Sequence, residues 1–219
     1  MRKVIAAAFV SLDGVMQAPG GPEEDPTGGF ALGGWTATYW DEVMGRSMDL
    51  MFEAPFDLLL GRKTYEIFAA HWPYMQDDPI AEAFNRVTKY VATSSRAPLT
   101  WNNSIALHDA AAEVARLKAG DGPTLLTQGS SHLLQTLIAQ GLVDEFRLMT
   151  FPVALGRGKR LFGEALPPFA LTLTATETSA TGVVISRYAP AGAVPIGSFA
   201  PETPSEAELA RRARMEREG

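Results

Sequence analysis

The sequence predicts one α/β domain with a mixed, mostly parallel sheet, helices on both faces and a C-terminal antiparallel hairpin. Short apolar runs alternate with helical stretches, which is typical of parallel strands buried on both faces. The predicted strands are 3–10, 56–61, 88–93, 124–128, 144–151, 170–176 and 182–189. The predicted helices between the first five strands and around them are 36–53, 63–70, 79–86, 109–119 and 130–140.

The last two predicted strands, 170–176 and 182–189, are joined by a short turn that ends at Gly182. They are expected to form an antiparallel hairpin at the edge of the sheet. From Pro190 the composition changes to Pro, Gly, Ala and Ser, and Ser205–Glu208 has the pattern of a capping box. We therefore divide the chain into a domain, 1–189, and an arm, 190–219, that ends in a short polar helix. That helix is either a frayed tail or a docking element for a partner.

Composition excludes several classes of protein. A net charge of −6 over 219 residues argues against nucleic acid as the main partner. The chain has no cysteine, which excludes disulfides and thiolate zinc sites and suits a reducing cytoplasm. Its three histidines are scattered, so we expect no metal site. No apolar run approaches the length of a membrane span, and the apolar start is interpreted as a buried first strand rather than a signal peptide.

A candidate phosphate site follows the second predicted strand, where Leu58–Leu60 leads into Gly61, Arg62, Lys63 and Thr64. Glycine lets the backbone approach a ligand closely. The start of the next helix offers free N–H groups and a partial positive charge. Arg62 adds a planar fork suited to phosphate. Alone, the motif is weak, since many strand–Gly–helix corners bind nothing.

A second candidate site follows the third strand, at Ser94, Ser95 and Arg96. In a parallel sheet this segment and Arg62 belong to the same edge, where ligands of α/β proteins bind. An additional cation with two hydroxyl groups is what a ribose 2′-phosphate requires, so NADPH is favoured over NADH. The alternative is a polar turn.

A third site follows the fourth predicted strand, at Gly129, Ser130 and Ser131. The backbone N–H groups of these residues would again face an anion. His132 is interpreted as a residue of the helix surface or the pocket rim. Three such corners in one small domain favour a dinucleotide site.

The order of these segments resembles the dihydrofolate reductase-like superfamily. It is more similar still to the RibD C-terminal domain family, the reductase domain of bacterial riboflavin biosynthesis. The resemblance covers about residues 1–189. The segments that carry it are 11–14 (Ser-Leu-Asp-Gly), 59–66, 93–96, 129–133 and 143–162. Of these, 61–66 and 144–162 are the most specific.

The resemblance implies a role for each corner. It places Ala7 beside the nicotinamide ring and Gly14 and Val15 in the loop that covers the ring. It also implies that the corner at 61–64 binds the cofactor phosphates, that 94–96 meets the 2′-phosphate, and that 129–131 contacts the pyrophosphate. The resemblance implies paired glycines after the predicted strand 124–128, whereas in this sequence Gln128 precedes Gly129. The resemblance further implies a homodimer.

The acid that supports protonation in folate-reducing relatives has no direct counterpart, since the equivalent position falls near Gly45. Asp41, after a shift of register, and Asp13 in the covering loop are the candidate catalytic residues, with a bound water as the alternative proton source. The alternative for Asp41, and the more common one for an acid on a helix, is a solvated position. Dihydrofolate reduction itself is therefore not expected.

The predicted first helix also carries Trp35, Tyr39 and Trp40, which form either an aromatic wall for a flat substrate or part of the core. The Gly/Pro-rich loop 17–34 is long enough to act as a lid. The sequence thus predicts an NADPH-dependent reductase of a small heterocyclic (pterin- or ribosylaminopyrimidine-like) or carbonyl/imine substrate. The predicted enzyme resembles 5-amino-6-(5-phosphoribosylamino)uracil reductase. The alternatives are a non-catalytic NADPH-binding or sensing module and a phosphate-binding protein without dinucleotide preference.

Overall fold

The computed structural model describes residues 1–200 and 202–218. Its eight strands are β1 (Val4–Ser11), β2 (Phe56–Gly61), β3 (Lys89–Ala92), β4 (Ser104–Leu107), β5 (Thr124–Thr127), β6 (Glu145–Phe151), β7 (Leu171–Thr178) and β8 (Val184–Pro190). They form one sheet in the order β4-β3-β2-β5-β1-β6-β8-β7. Strands β1 to β6 are parallel, whereas β8 is antiparallel to both β6 and β7. The predicted mixed sheet with its C-terminal hairpin is confirmed.

The described residues also form six α-helices: α1 (Glu42–Phe52), α2 (Arg62–Ala69), α3 (Pro79–Arg86), α4 (Ala110–Ala119), α5 (Ser131–Ala139) and, in the C-terminal arm, α6 (Glu206–Glu218). Alternation along β1 sends Ile5 and Ala7 to one face and Val4 and Ala6 to the other. The first face packs against α1, α2 and α3, and we call it the α1 face. The second packs against α4 and α5 and is called the α5 face.

Two local predictions were wrong. The short strand β4 was not predicted, because its four residues follow a polar Asn-Asn pair and its Ile105 is exposed at the sheet edge. The first helix begins at Glu42 rather than near 36. Asp41 is extended and its side chain accepts a hydrogen bond from the N–H of Met44, which fixes the start of the helix. The preceding residues Ala37–Tyr39 form a separate 3₁₀ turn.

The C-terminal arm is polar and exposed. None of the residues of α6 is buried, and its Glu208 pairs with Arg211 and Arg212 on the same helix. Residues 201 and 219 of the predicted arm lie outside the described residues. Within 1–200 and 202–218, no helix has the length and apolarity needed to cross a membrane.

A buried ion pair ties the amino-terminal ends of the strands together. Arg2, just before β1, donates from Nη2 to Asp57 Oδ2 of β2 at 2.5 Å, and from Nε to the carbonyl of Pro123, just before β5. The other carboxylate oxygen of Asp57 accepts from the N–H of Thr88, just before β3. One guanidinium and one carboxylate thus hold four segments in register at the edge of the sheet opposite to the predicted site.

We expect Arg2→Met to lower the free energy of unfolding by about 3–5 kcal/mol, because it leaves the Asp57 carboxylate buried without its partner. The control is Asp121→Asn, which removes the fully exposed pair between Asp121 and the N-terminal amine. That change should cost less than about 1 kcal/mol. Urea unfolding of the three proteins measures both values, and equal losses would contradict the role given to Arg2.

Candidate functional site

A cavity of about 1870 Å³ opens at the edge where the parallel strands end. It is lined from the ends of β1, β2, β3 and β5, from α1, and from the loop that follows β1. Single-ligand pockets usually measure about 300–1,000 Å³. This cavity therefore has room for two ligands side by side.

One wall of the cavity is formed by the N-termini of helices α2 and α5, which lie in contact with each other. Gly61 precedes α2 and Ser130 precedes α5. A Cβ on Gly61 would lie 2.0 Å from Ser130 Oγ and 3.0 Å from Ser130 Cβ, so only glycine fits. Lys63, Thr64, Ser131 and His132 line the cavity beside them.

Neither of these helices has a side-chain cap. Helices α1, α3 and α4 each begin with an aspartate that accepts backbone N–H groups, namely Asp41, Asp78 and Asp109. In contrast, α2 and α5 have no side-chain hydrogen bond at their N-caps. The free N–H groups of two helices therefore face one cavity, which is a strong arrangement for binding an anion.

The turn after β5 also depends on glycine. Gly129 has a φ of +106°, and a Cβ there would lie 3.2 Å from Thr64 Oγ1 on α2. The peptide bond between Gly129 and Ser130 is cis. Gln128, where the resemblance led us to expect a glycine, turns to the α1 face, and its amide contacts the sulfur of Met51.

Of the residues predicted to bind the 2′-phosphate, only some line the cavity. Arg62 donates from Nε to Glu66 at 2.7 Å and from Nη1 to the carbonyl of Ala97 at 3.1 Å, which ties α2 to the loop after β3. Ser94 and Ser95 line the cavity near it. Arg96 is exposed and does not belong to the lining. Sequence reasoning also missed His108, at the end of the unpredicted β4, which lines the cavity.

On β1, Ala7, Ala8 and Phe9 line the cavity. Gly14 and Val15, which were predicted to cover the nicotinamide ring, do not line the cavity. Val15 is fully buried and packs with Ala18 and Phe30 beneath the loop. The segment that lines the cavity is 16–25 instead.

This segment is fastened to the loop after β6, and we call it the lid. The side-chain amide of Gln17 donates to the carbonyls of Asp25 and Thr27, and its oxygen accepts from the N–H of Lys159. Lys159 Nζ also pairs with the carboxylate of Asp25. The lid is therefore held in a defined shape by polar contacts at both of its ends.

The two candidate catalytic carboxylates lie outside the cavity lining. Asp13 accepts hydrogen bonds from Ser11 Oγ at 2.6 Å and from the N–H groups of Leu155 and Gly156. These bonds, that from Ser11 above all, lower the pKa of Asp13 to about 2. Asp41 caps α1 and also accepts from the N–H of Ala180. The bonds from Met44 and Ala180 lower the pKa of Asp41. The structure thus gives both groups structural contacts and does not favour either as a proton donor.

A carboxyl group that sequence reasoning missed does line the cavity. Glu24, in the lid, accepts from the N–H groups of Gly20 and Gly21 at 2.6 and 3.2 Å. Burial raises the pKa of Glu24 above its usual value despite these bonds. Because this glutamate lies between two acidic neighbours in the sequence, nothing in the pattern distinguished it from a solvated charge.

The three predicted substrate aromatics separate into two groups. The rings of Trp35 and Tyr39 pack edge-on against Phe151, with centroids at 5.2 and 5.9 Å, and Trp35 Nε1 donates to the carbonyl of Gln17. Both belong to the core rather than the lining. Trp40, 47 % exposed, lines the cavity and meets Phe9 edge-on at 6.1 Å. The apolar wall beyond them is completed from α1 by Met48, Met51 and Phe52.

With the fold and cavity defined, comparison with known proteins identifies the family. Residues 2–185 match the RibD C-terminal domain. The chain belongs to this family. It is also 30% identical over 196 residues to YyaP, an uncharacterized protein of Bacillus subtilis (strain 168), with 85% of this chain and 94% of YyaP covered.

Solved structures share the fold at low sequence identity. A protein provisionally assigned to riboflavin biosynthesis in Shewanella sp. PV-4 has a TM-score of 0.58 at 19% identity, covering 87% of this chain and 99% of the other. A pyrimidine reductase-like protein of Corynebacterium diphtheriae has a TM-score of 0.55 at 14% identity, covering 87% of this chain and 92% of the other. Dihydrofolate reductase of Enterococcus faecalis, complexed with NADP(H), has a TM-score of 0.54 at 14% identity, covering 86% of this chain and 96% of the other.

The contact between Gly61 and Ser130 can be tested by a pair of glycine substitutions. We expect Gly61→Ala to lower the free energy of unfolding by about 1–3 kcal/mol, because the new methyl overlaps Ser130. Gly45→Ala is the matched control: nothing lies within 4 Å of its Cβ position in α1, so we expect a gain of about 0.5–1 kcal/mol. Chemical unfolding measures both. Adding Ser130→Gly should recover most of the loss at Gly61, and a failure to recover would point to another cause.

The structural role of Asp13 predicts a dependence on pH. Because the pKa of Asp13 is lower in the folded chain than in the unfolded one, its stabilisation is complete above about pH 4 and disappears as the pH falls through about 2. We expect Asp13→Asn to cost about 1 kcal/mol at pH 7 and much less near pH 2, with exposed Asp49→Asn as the control. Thermal unfolding from pH 2 to 7 measures the difference. A loss that is independent of pH would argue against these contacts.

Proposed function

We propose that the protein is an NADPH-dependent reductase of a small heterocyclic, carbonyl or imine substrate. The observation that carries this proposal is the meeting of two uncapped helix N-termini, at Gly61 and Ser130, inside a cavity large enough for two ligands. Membership in the RibD C-terminal domain family supports a reductase. So does the shared fold with a dihydrofolate reductase complexed with NADP(H).

In this proposal the N–H groups at the starts of α2 and α5 hold the pyrophosphate. Arg62, Ser94 and Ser95 hold the 2′-phosphate, since they line the cavity on the adjacent strand ends. Arg96 is left out because it is exposed outside the lining. The nicotinamide ring lies on β1 at Ala7, where the small side chain leaves room above the sheet.

When bound, the cofactor supplies the hydride. The residues of this chain orient the two reactants and exclude water through the lid. The substrate is expected between β1 and α1, against the apolar wall of Phe9, Trp40 and Met48. Asp13 and Asp41 take no part in proton transfer in this proposal, because both are held outside the cavity.

The size of the cavity favours an enzyme over a nucleotide-sensing module. A sensor needs room for the nucleotide alone, whereas this cavity extends beyond the helix N-termini to an apolar compartment under α1. The ribosylaminopyrimidine-like or pterin-like nature of the substrate rests on the family and fold resemblance. The homodimer and the cytoplasmic setting stay predictions.

The proposal is tested by titrating the protein with NADPH, NADH and ATP while following the fluorescence of its four tryptophans. We expect the protein to prefer NADPH over the other two. Arg62→Ala should weaken the binding of NADPH by about 1.5–3 kcal/mol, the value of a hydrogen bond to a charged group, and the binding of NADH by much less. Arg46→Ala is the matched control, since Arg46 lies on α1 in an exposed pair with Glu177.

Each arm of the titration has a distinct outcome that contradicts the proposal. Equal affinity for ATP and NADPH would indicate a general phosphate site. Equal weakening of NADPH and NADH by Arg62→Ala would remove that residue from the 2′-phosphate site. Tight NADPH binding without oxidation of NADPH on a panel of carbonyl and imine compounds would favour the sensing module.

A further inference from the structure

Two arginines lie side by side on the sheet next to the position proposed for the nicotinamide. In the strand register Ala7 of β1 is paired with Arg147 of β6, and Arg147 is paired with Arg187 of β8. The three residues therefore form one row across three strands. Neighbouring strands are about 4.8 Å apart, so the backbone of Arg187 is about 10 Å from that of Ala7.

Both arginine side chains point to the α1 face. Residues two apart on a strand share a face, and Met149 on β6 and Ile185 on β8 pack in the core of the α1 face together with Ala7. Arg147 and Arg187 themselves line the cavity. They form the floor of the compartment whose roof is α1.

The charges of this pair are not balanced within the protein. Arg147 donates from Nε to Glu145 at 2.6 Å, and its side chain is only 19% exposed. Among residues 1–200 and 202–218, no ion pair involves Arg187. Like charges directly opposite each other on antiparallel strands destabilise a sheet. One positive charge is therefore left over beside an apolar wall.

The other arginines of the cavity differ in this respect. Arg62 pairs with Glu66, and Arg160 lies 3.6 Å from the carboxylate of Asp13. Each of them also donates to a backbone carbonyl, so their positions are explained by the fold. Arg187 has no such explanation in the described part of the chain.

The cofactor phosphates do not explain the unbalanced charge of the arginine pair. The corner at Gly61 is on β2, and β5, β1 and β6 lie between β2 and β8. Gly61, on β2, is four strand spacings or about 19 Å from Arg187, and Ser130, which follows β5, is three spacings or about 14 Å from it. The helix N-termini and the arginine pair thus lie on opposite sides of β1, and a phosphate held at the helix N-termini is too far from Arg187 to account for its charge.

We propose that Arg147 and Arg187 bind an anionic group of the substrate. This inference rests on the proposed function, because it places the reacting atom over Ala7. The substrate then has a flat body that fits between β1 and α1 and a phosphate or carboxylate on the β8 side. Two guanidinium forks side by side suit the oxygens of either group. The pair selects substrates by charge, independently of the cofactor.

The test uses three fluorinated probes with the same ring: 4-fluorophenyl phosphate, 4-fluorobenzoate and the neutral 4-fluorobenzamide. Their binding to the NADPH-saturated protein is measured by ¹⁹F NMR, so that the helix N-termini are already occupied. We expect at least one anion to bind about 10-fold or more tightly than the amide, in line with a hydrogen bond to a charged group. The comparison of the two anions shows whether phosphate or carboxylate is preferred.

Arg187→Met keeps the apolar stem and removes the charge. We expect it to reduce the preference for the anion to near unity, and Arg187→Lys to restore part of it. Arg46→Met removes one positive charge from an exposed position on α1 and should leave the preference unchanged. A wild-type protein that does not discriminate, or an Arg187→Met variant that still does, would overturn the inference.

The failure of this inference can be distinguished from failure of the proposed function. The NADPH titration is repeated on Arg187→Met, which should bind NADPH as the wild type does. Normal NADPH binding without anion preference removes the arginine subsite and leaves the reductase. The probe measurement is also made without nucleotide. An anion preference that depends on Arg187 in a protein that binds no NADPH would support the subsite and refute the reductase.

Discussion

Gly61 and Ser130 are so close that no side chain fits between the starts of α2 and α5. This contact decides where the rest of the site can be. Because both helices begin at neighbouring strand ends without a capping side chain, their N–H groups face the same space and need an external acceptor. The strand order then places β1 next to that space, with Ala7 leaving room above the α1 face of the sheet.

The cavity accordingly has two chemically different halves. On one side of β1 the backbone supplies positive potential through helix ends, which suits the phosphates of a nucleotide. On the other side the potential comes from side chains, Arg147 and Arg187, in an otherwise apolar compartment. In the proposed function, the second half takes a ligand with one negative end and a flat body, and the reacting atoms meet between the halves at Ala7.

The sequence predicted the sheet apart from β4, together with its hairpin, because each strand is encoded within about ten consecutive residues; the assignment of the three corners to cofactor phosphates stays a prediction. A buried run that ends in Gly61 or Gly129 is visible without knowledge of the fold. The residues that were missed or misplaced depend on contacts between distant segments. Arg147 resembles any strand residue until β8 brings Arg187 beside it. Asp13 resembled a catalytic acid until the loop at Leu155 and Gly156 supplied its hydrogen-bond donors. Trp35 and Tyr39 were indistinguishable from Trp40 because both rings pack on Phe151, which is more than a hundred residues away in the sequence.

The pair of Arg2 and Asp57 lies at the amino-terminal ends of the strands, opposite the cavity, and none of the residues it joins belongs to the lining. The register of these strands is thus fixed at one end of the sheet, while the cavity opens at the other end. Such a separation makes the protein a good scaffold for directed evolution. Exchanging residues that line the cavity, such as Trp40 or Arg187, leaves the contacts of Arg2 and Asp57 that hold the strands in register untouched.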